Sequence, residues 1–94
     1  MSGERARARI VVRGRVQGVA FRYYAQNEAQ ALGLRGWIRN QADGSVELVV
    51  EGSRPAVAAM VAWCHRGPRH ARVDAVQVAD EPGGGELGPF DIVG

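Results

Sequence analysis

The chain has 94 residues, 46% of them hydrophobic, and a formal net charge of +2 at pH 7. A chain of this length forms one domain (residues 1–94) around one core, and no apolar run approaches the roughly 18 residues of a membrane span. The N-terminal residues lack the apolar core of an export signal, and Cys64 is the only cysteine, which excludes an internal disulfide. We therefore expect a cytoplasmic protein with a reduced thiol.

The first predicted element is a strand over residues 6–13, which leads into a glycine-bracketed loop. Apolar side chains alternate there with arginines, which is typical of a half-buried strand. The loop runs from Gly14 to Phe21, and Arg22 stands in the first turn of the helix that follows. Unpaired N–H groups and the helix dipole favour an anion at a helix start. Because a cation is locally unfavourable there, Arg22 indicates a phosphate site, whereas the glycines alone fit a plain turn equally well.

The basic residues are unevenly distributed. Residues 5–27 contain six arginines and no acidic residue, and lysine is absent from the whole chain. A guanidinium group binds phosphate through a planar two-pronged fork, whereas an ammonium group acts as a point charge. Coding bias is the alternative explanation for the missing lysines, but the clustering of arginines beside the loop supports an anion site.

The remaining sequence alternates between helical and strand patterns. In chain order the spacing of apolar residues predicts a helix over 21–32, strands over 34–40 and 46–51, a helix from Ser53 to Gly67, a strand over 73–78 with one bulge, and a short strand around Phe90 and Ile92. Asp43-Gly44 predicts a hairpin turn between the second and third strands. This order predicts an α+β, ferredoxin-like split β-α-β sandwich (βαββαβ plus a short C-terminal strand), a mainly antiparallel sheet with two helices on one face.

The predicted topology brings two distant polar features together. The first two strands are joined through a helix, so they run parallel, and the third lies antiparallel between them. Their C-terminal ends therefore open at one edge of the sheet, where the 14–21 loop leaves one strand and Asn40 ends the other. The Asn40 carboxamide is suited to orienting a water nucleophile. The alternative is that Asn40 is an ordinary asparagine at the start of a turn.

Two sequence blocks resemble the signatures of the acylphosphatase family. The first block is residues 14–22 (Gly-Arg-Val-Gln-Gly-Val-Ala-Phe-Arg), and the second comprises residues 36–40 (Gly-Trp-Ile-Arg-Asn) and 43–46 (Asp-Gly-Ser-Val). The resemblance continues in residues 67–68, 71–73 and 90–92. It thus covers nearly the whole chain, and the paired blocks at this spacing are highly specific. The basic first nine residues and the glycine-rich connection from Pro82 to Gly88 depart from the family in detail.

The resemblance implies a hydrolase that cleaves the carboxyl–phosphate bond of acyl phosphates to a carboxylate and inorganic phosphate. Arg22 matches the family's phosphate-binding arginine, and Asn40 its water-orienting asparagine. The family binds the phosphate of its substrate with backbone amides, and the matching residues in this chain are Arg15, Val16, Gln17, Gly18, Val19, Ala20 and Phe21. The family works without a metal and without a covalent enzyme intermediate, so the resemblance implies that no cofactor is needed. We further expect a monomer with a small-molecule substrate and with neither nucleic acid nor membrane as a partner.

An RNA-recognition module of the same general fold is the main rival interpretation. Such modules stack bases on aromatic side chains of the central strands. The outward face of the first and third strands instead offers arginines, valines, Glu47 and Glu51. A non-catalytic anion sensor, and a domain like the one that begins a larger carbamoyl-transferring enzyme, are further alternatives.

Several aromatic residues are assigned to packing. Trp37, Trp63 and Phe90 are expected in the core, together with the Cys64 thiol on the buried stripe of the second helix. One of the two tyrosines after Arg22 is a candidate for lining the acyl side of the site.

Overall fold

A computed structural model describes residues 4–82 and 85–94 of the chain. It consists of one five-stranded sheet that carries two helices on one face. Its elements in chain order are β1 (Arg5–Arg15), α1 (Phe21–Ala31), β2 (Arg35–Asn40), β3 (Val46–Ser53), α2 (Arg54–Arg66), β4 (Arg72–Asp80) and β5 (Asp91–Ile92). The predicted order of helices and strands is therefore confirmed, with β1 one residue longer at its start and two residues longer at its end than the predicted 6–13. Neither helix has the length and apolar character needed to cross a membrane within these residue ranges.

The strand order is β4-β1-β3-β2-β5. β3 pairs antiparallel with both β1 and β2, β4 pairs antiparallel with β1, and the short β5 pairs parallel with β2. The predicted placement of the third strand between the first two is confirmed. The predicted bulge is also present, because the register of β1 with β4 passes from Arg13 opposite Ala75 to Gly14 opposite Val73 and skips Asp74.

Alternation along the strands determines which face meets the helices. Ile10, Val12 and Leu48 have no exposed surface and pack beneath the buried residues of α1 and α2. Between the helices, the rings of Phe21 and Trp63 meet edge to face with their centroids 5.3 Å apart. Cys64 has no exposed surface in this layer, which confirms its assignment to the core, and this burial raises the pKa of its thiol to about 12.

The expected core position of Trp37 is wrong, whereas those of Trp63 and Phe90 are confirmed. Side chains of a strand alternate between faces, and β2 directs Gly36 and Ile38 to the helix side. Trp37 therefore lies on the opposite, helix-free face of the sheet, only partly buried. The Arg39 guanidinium lies 5.2 Å from the centroid of its ring.

A buried carboxylate organises this helix-free face. Glu47 is 1% exposed and forms ion pairs with Arg9 and with Arg39, whose Nε lies 2.7 Å from Oε1. Gln41 donates to the same oxygen at 3.2 Å. A buried charge needs such partners, so Glu47 is a structural residue of this face and not a solvated glutamate.

Candidate active site

The loop between β1 and α1 presents unpaired backbone donors. Within the described residues, none of the four N–H groups from Gln17 to Ala20 donates a hydrogen bond to another backbone group or a side chain. Ala20, the N-cap of α1, provides no side-chain cap, and the first helical turn contains no acidic residue. The helix therefore begins with free donors at the positive end of its dipole, which is the arrangement of an anion site.

Backbone conformation shapes this loop. Gly18 has φ +75°, and Ala20 is the only described residue other than glycine with a positive φ, at 61°. A left-handed conformation costs an alanine on the order of 1–2 kcal/mol, and such strain is concentrated at functional sites. Surrounding contacts must therefore hold the loop in this shape.

The Gln17 side chain is one of those contacts. Its Nε2 donates to the carbonyl oxygens of Gln41 at 2.8 Å and Ser45 at 2.9 Å, which lie in the turn between β2 and β3. The same turn begins directly after Asn40. The carboxamide of Gln17 thereby fixes the distance between the loop and the end of β2. Local sequence gave no signal for this role, because it depends on a contact 24 to 28 residues away.

The turn itself is rigidly bonded. Asp43 accepts hydrogen bonds from the Ser45 N–H at 3.0 Å and the Ser45 hydroxyl at 2.5 Å, and from Arg13 Nη1 at 2.9 Å. The two bonds from Ser45 and then the Arg13 guanidinium hold the pKa of the Asp43 carboxyl well below its usual range. Asp43-Gly44 thus supplies the predicted hairpin turn, with Gly44 at φ +93°.

The loop between β1 and α1, the start of α1 and the end of β2 surround one cavity of about 180 Å³. Its lining contains Arg22 and Asn40 together with Val16, Gln17, Gly18, Ala20, Phe21, Tyr23 and Ile92. A water molecule needs only about 10–15 Å³ of such volume, so the cavity has room for a tetrahedral oxyanion. The topology predicted that the 14–21 loop and Asn40 converge, and residues of that loop and Asn40 do line this one cavity, with Arg22 beside them.

Two of the predicted cradle residues do not line this cavity. Arg15 is the exposed last residue of β1, where it lies opposite Arg72, and Val19 packs against the core. Tyr23 lines the cavity, whereas Tyr24 does not. Ile92 is a lining residue that sequence reasoning missed, since only the pairing of β5 beside β2 brings it there.

The electrostatics of the cavity favour an anion. Arg22 is a partly buried residue that forms no ion pair among the described residues, so its guanidinium is not neutralised by a carboxylate. No aspartate, glutamate or histidine belongs to the lining. The site therefore combines one positive side chain and free amides with a neutral carboxamide.

Comparison with known proteins decides the family. A family model described as Acylphosphatase matches residues 8–92. The chain belongs to the acylphosphatase family. Among its acylphosphatase relatives, one from Anaeromyxobacter dehalogenans is 58% identical over 89 residues, which cover 95% of this chain and 96% of that protein. One from a Roseiflexus species is 53% identical, with 94% and 95% covered.

Solved acylphosphatase structures share the architecture. The crystal structure of acylphosphatase from Bacillus subtilis superposes with a TM-score of 0.89 at 38% sequence identity, covering 93% of this chain and 97% of that one. Membership of the family makes this chain an enzyme of the hydrolase class. The family inferred from the two sequence blocks is thereby confirmed.

Proposed function

We propose that this acylphosphatase-family enzyme hydrolyses the carboxyl–phosphate bond of a small-molecule acyl phosphate in the cavity between the 16–22 segment and Asn40. The observation that carries the proposal is the meeting of unpaired loop amides, an unneutralised arginine and a carboxamide in one cavity of about 180 Å³. The products are a carboxylate and inorganic phosphate.

Substrate binding is assigned to the loop and Arg22. The free amides of Gln17, Gly18 and Ala20, which line the cavity, and the guanidinium group can together hold three phosphoryl oxygens. These donors are fixed before the substrate arrives, because Gln17 holds the loop to the neighbouring turn. Fixed donors that face developing charge stabilise a phosphoryl-transfer transition state without reorganisation. Tyr23 and Ile92 then lie beside the space left for the acyl group.

The attacking water is assigned to Asn40. Its side-chain oxygen accepts a hydrogen bond from water while its amide donates to a substrate oxygen, which orients the water toward phosphorus. A bond forms between the water oxygen and phosphorus, and the bond between phosphorus and the acyl oxygen breaks, so the carboxylate leaves with its electron pair. Because the lining contains no carboxylate or imidazole, the water's proton passes to a phosphoryl oxygen of the substrate.

Steady-state hydrolysis of benzoyl phosphate tests these roles. Asn40→Ala should lower kcat by roughly 100-fold or more and leave inhibition by inorganic phosphate nearly unchanged, since the cradle stays intact. Arg22→Gln should weaken phosphate inhibition about 10- to 150-fold, as expected for loss of a charged hydrogen bond, and lower the rate as well. Asn27→Ala and Arg66→Gln are controls on exposed helical positions outside the cavity.

Full activity in both folded site variants would contradict the assignment of roles. Phosphate binding without turnover in the wild-type enzyme would favour an anion sensor. A sharp ionisation of a protein group near neutral pH in the kcat profile would contradict proton transfer to the substrate.

A further inference from the structure

The Asn40 side chain is not held in place by hydrogen bonds of its own. Asn40 is an exposed residue at the end of β2, and no hydrogen bond among the described residues involves its carboxamide. A group that orients water must nevertheless stay close to one geometry, because a misplacement of ~1 Å can cost about 100-fold in rate. In the free enzyme the position of Asn40 is therefore set through its backbone, by the residues on either side of it.

A single carboxylate oxygen binds both neighbours of Asn40. Glu47 Oε1 accepts a hydrogen bond from Arg39 Nε at 2.7 Å and another from Gln41 Nε2 at 3.2 Å. Residues 39 and 41 thus direct their side chains to the helix-free face of the sheet. Alternation then directs the residue between them to the opposite face, where Asn40 lines the cavity of the candidate site.

Glu47 is itself fixed in the sheet. It lies in the central strand β3, opposite Arg39 in β2 and Val11 in β1, and is 1% exposed. Its second carboxylate oxygen pairs with Arg9 of β1. A buried carboxylate cannot leave such partners without a large cost, so it stays in one position. Glu47 therefore provides a fixed acceptor for the two residues that flank Asn40.

Gln41 connects this acceptor to the peptide bond that follows Asn40. Its backbone N–H donates to the Ser45 carbonyl at 2.8 Å, and its side-chain oxygen accepts from the Ser45 hydroxyl at 2.8 Å. With Nε2 bound to Glu47, the backbone N–H and both polar atoms of the side chain are engaged. The peptide plane between residues 40 and 41 is thereby held from the turn and from the helix-free face together.

We propose that Glu47 is a positioning residue for the reaction, which sets the direction of Asn40 from the other face of the sheet. Its carboxylate holds residues 39 and 41, and these hold the backbone of the asparagine between them. Glu47 does not line the cavity, so it acts through its neighbours and not on the substrate. The inference rests on the proposed role of Asn40 in orienting the attacking water.

Kinetics with benzoyl phosphate, and with inorganic phosphate as inhibitor, test the proposal. Glu47→Ala should lower kcat roughly 10-fold or more, because Asn40 loses its fixed direction. Inhibition by phosphate should stay nearly unchanged, since Gln17 holds the loop through backbone carbonyls of the turn. Glu47→Gln keeps one carbonyl oxygen for its two donors and should recover most of kcat, although the charge is lost.

Glu51→Ala is the matched control. Glu51 lies on the same face of β3 and forms an ion pair with Arg7 at 3.3 Å, but it neither lines the cavity nor contacts a neighbour of Asn40. The control variant should lower Tm and leave kcat unchanged. A loss of kcat that follows Tm alone, equal in Glu47→Ala and Glu51→Ala, would show that Glu47 only stabilises the sheet and would overturn the proposal.

A double-variant cycle shows whether Glu47 acts through Asn40. In the Asn40→Ala background, Glu47→Ala should change the residual kcat by less than about twofold, because the group that it positions is already absent. A loss as large as in the wild-type background overturns the proposal, as do wild-type kcat in Glu47→Ala and equal losses in Glu47→Ala and Glu47→Gln. If Asn40→Ala alone keeps wild-type kcat, the proposed role of Asn40 fails, and this inference fails with it.

Gln41→Ala takes the place of Glu47→Ala in the cycle if the latter variant does not fold. It removes one of the two contacts beside Asn40 and leaves the ion pairs of Glu47 with Arg9 and Arg39 intact. A loss of kcat of about threefold or more that disappears in the Asn40→Ala background supports the proposal. Wild-type kcat in Gln41→Ala overturns it.

Discussion

Removal of the Gln17 carboxamide tests whether the loop between β1 and α1 is held in place by the turn between β2 and β3. Gln17→Ala deletes two hydrogen bonds, to the carbonyl oxygens of Gln41 and Ser45. Each carbonyl retains a backbone partner, since Gly44 N–H donates to Gln41 and Gln41 N–H donates to Ser45. The loss is therefore that of two ordinary hydrogen bonds, about 1–3 kcal/mol of unfolding free energy. For a domain of this size each kcal/mol lowers Tm by roughly 4–8 °C.

Thermal unfolding and benzoyl phosphate kinetics should be measured on the same variant. We expect a lower Tm together with a lower kcat/KM and weaker phosphate inhibition, because the loop amides lose their fixed orientation. Gln30→Ala is a matched control, since Gln30 Nε2 also donates to a backbone carbonyl, that of Phe90, at 3.3 Å. It should lower Tm slightly and leave phosphate inhibition unchanged. If Gln17→Ala keeps wild-type Tm and kinetics, the carboxamide does not hold the loop.

Three further predictions concern stability and reactivity. Gly36→Ala should lower the unfolding free energy by about 3 kcal/mol or more, because its Cβ would lie 1.8 Å from the Val49 carbonyl oxygen. Gly33→Ala is the control in denaturant titrations, since Gly33 also has a positive φ but has open space around its Cβ position, and equal losses in the two variants would refute the steric argument. Asp43→Asn should lower Tm at pH 7, and the Tm difference from the wild type should narrow as the pH falls below about 4, because a carboxylate with a lowered pKa stabilises the fold only while it is ionised. A Tm difference that stays constant down to low pH would contradict this role of the carboxylate. Cys64 should resist iodoacetamide at pH 8 until the protein unfolds, since burial raises its pKa to about 12, and equal rates in both states would exclude a buried thiol.

The sequence predicted the framework because its local patterns agree with one another. Alternating apolar residues in β1 and β3, the Ser53 cap of α2 and the Asp43-Gly44 turn each indicated the element that forms. The Ser53 hydroxyl indeed accepts from the Ala56 N–H at 3.3 Å. The rules for connections between strands then predicted that β3 lies between β1 and β2, as it does. This strand order predicted that Asn40 lies near the loop between β1 and α1.

Other features depended on contacts that no local pattern encodes. In β2 the apolar residues Trp37 and Ile38 are adjacent, so alternation could not tell which of them faces the helices. In the folded chain Ile38 is the one that faces the helices, with no exposed surface. Glu47 likewise has the pattern of a solvent-facing residue, and only its arginine partners from β1 and β2 explain its burial.

Hydrolysis of benzoyl phosphate in oxygen-18 water tests most directly whether the water attacks phosphorus rather than the carboxyl carbon. The proposed mechanism, in which the loop amides bind the phosphoryl group and Asn40 orients the water, predicts one labelled oxygen in the inorganic phosphate and none in the benzoate. Label in the benzoate would mean that water attacks the carboxyl carbon, and it would contradict the roles given to Arg22 and Asn40.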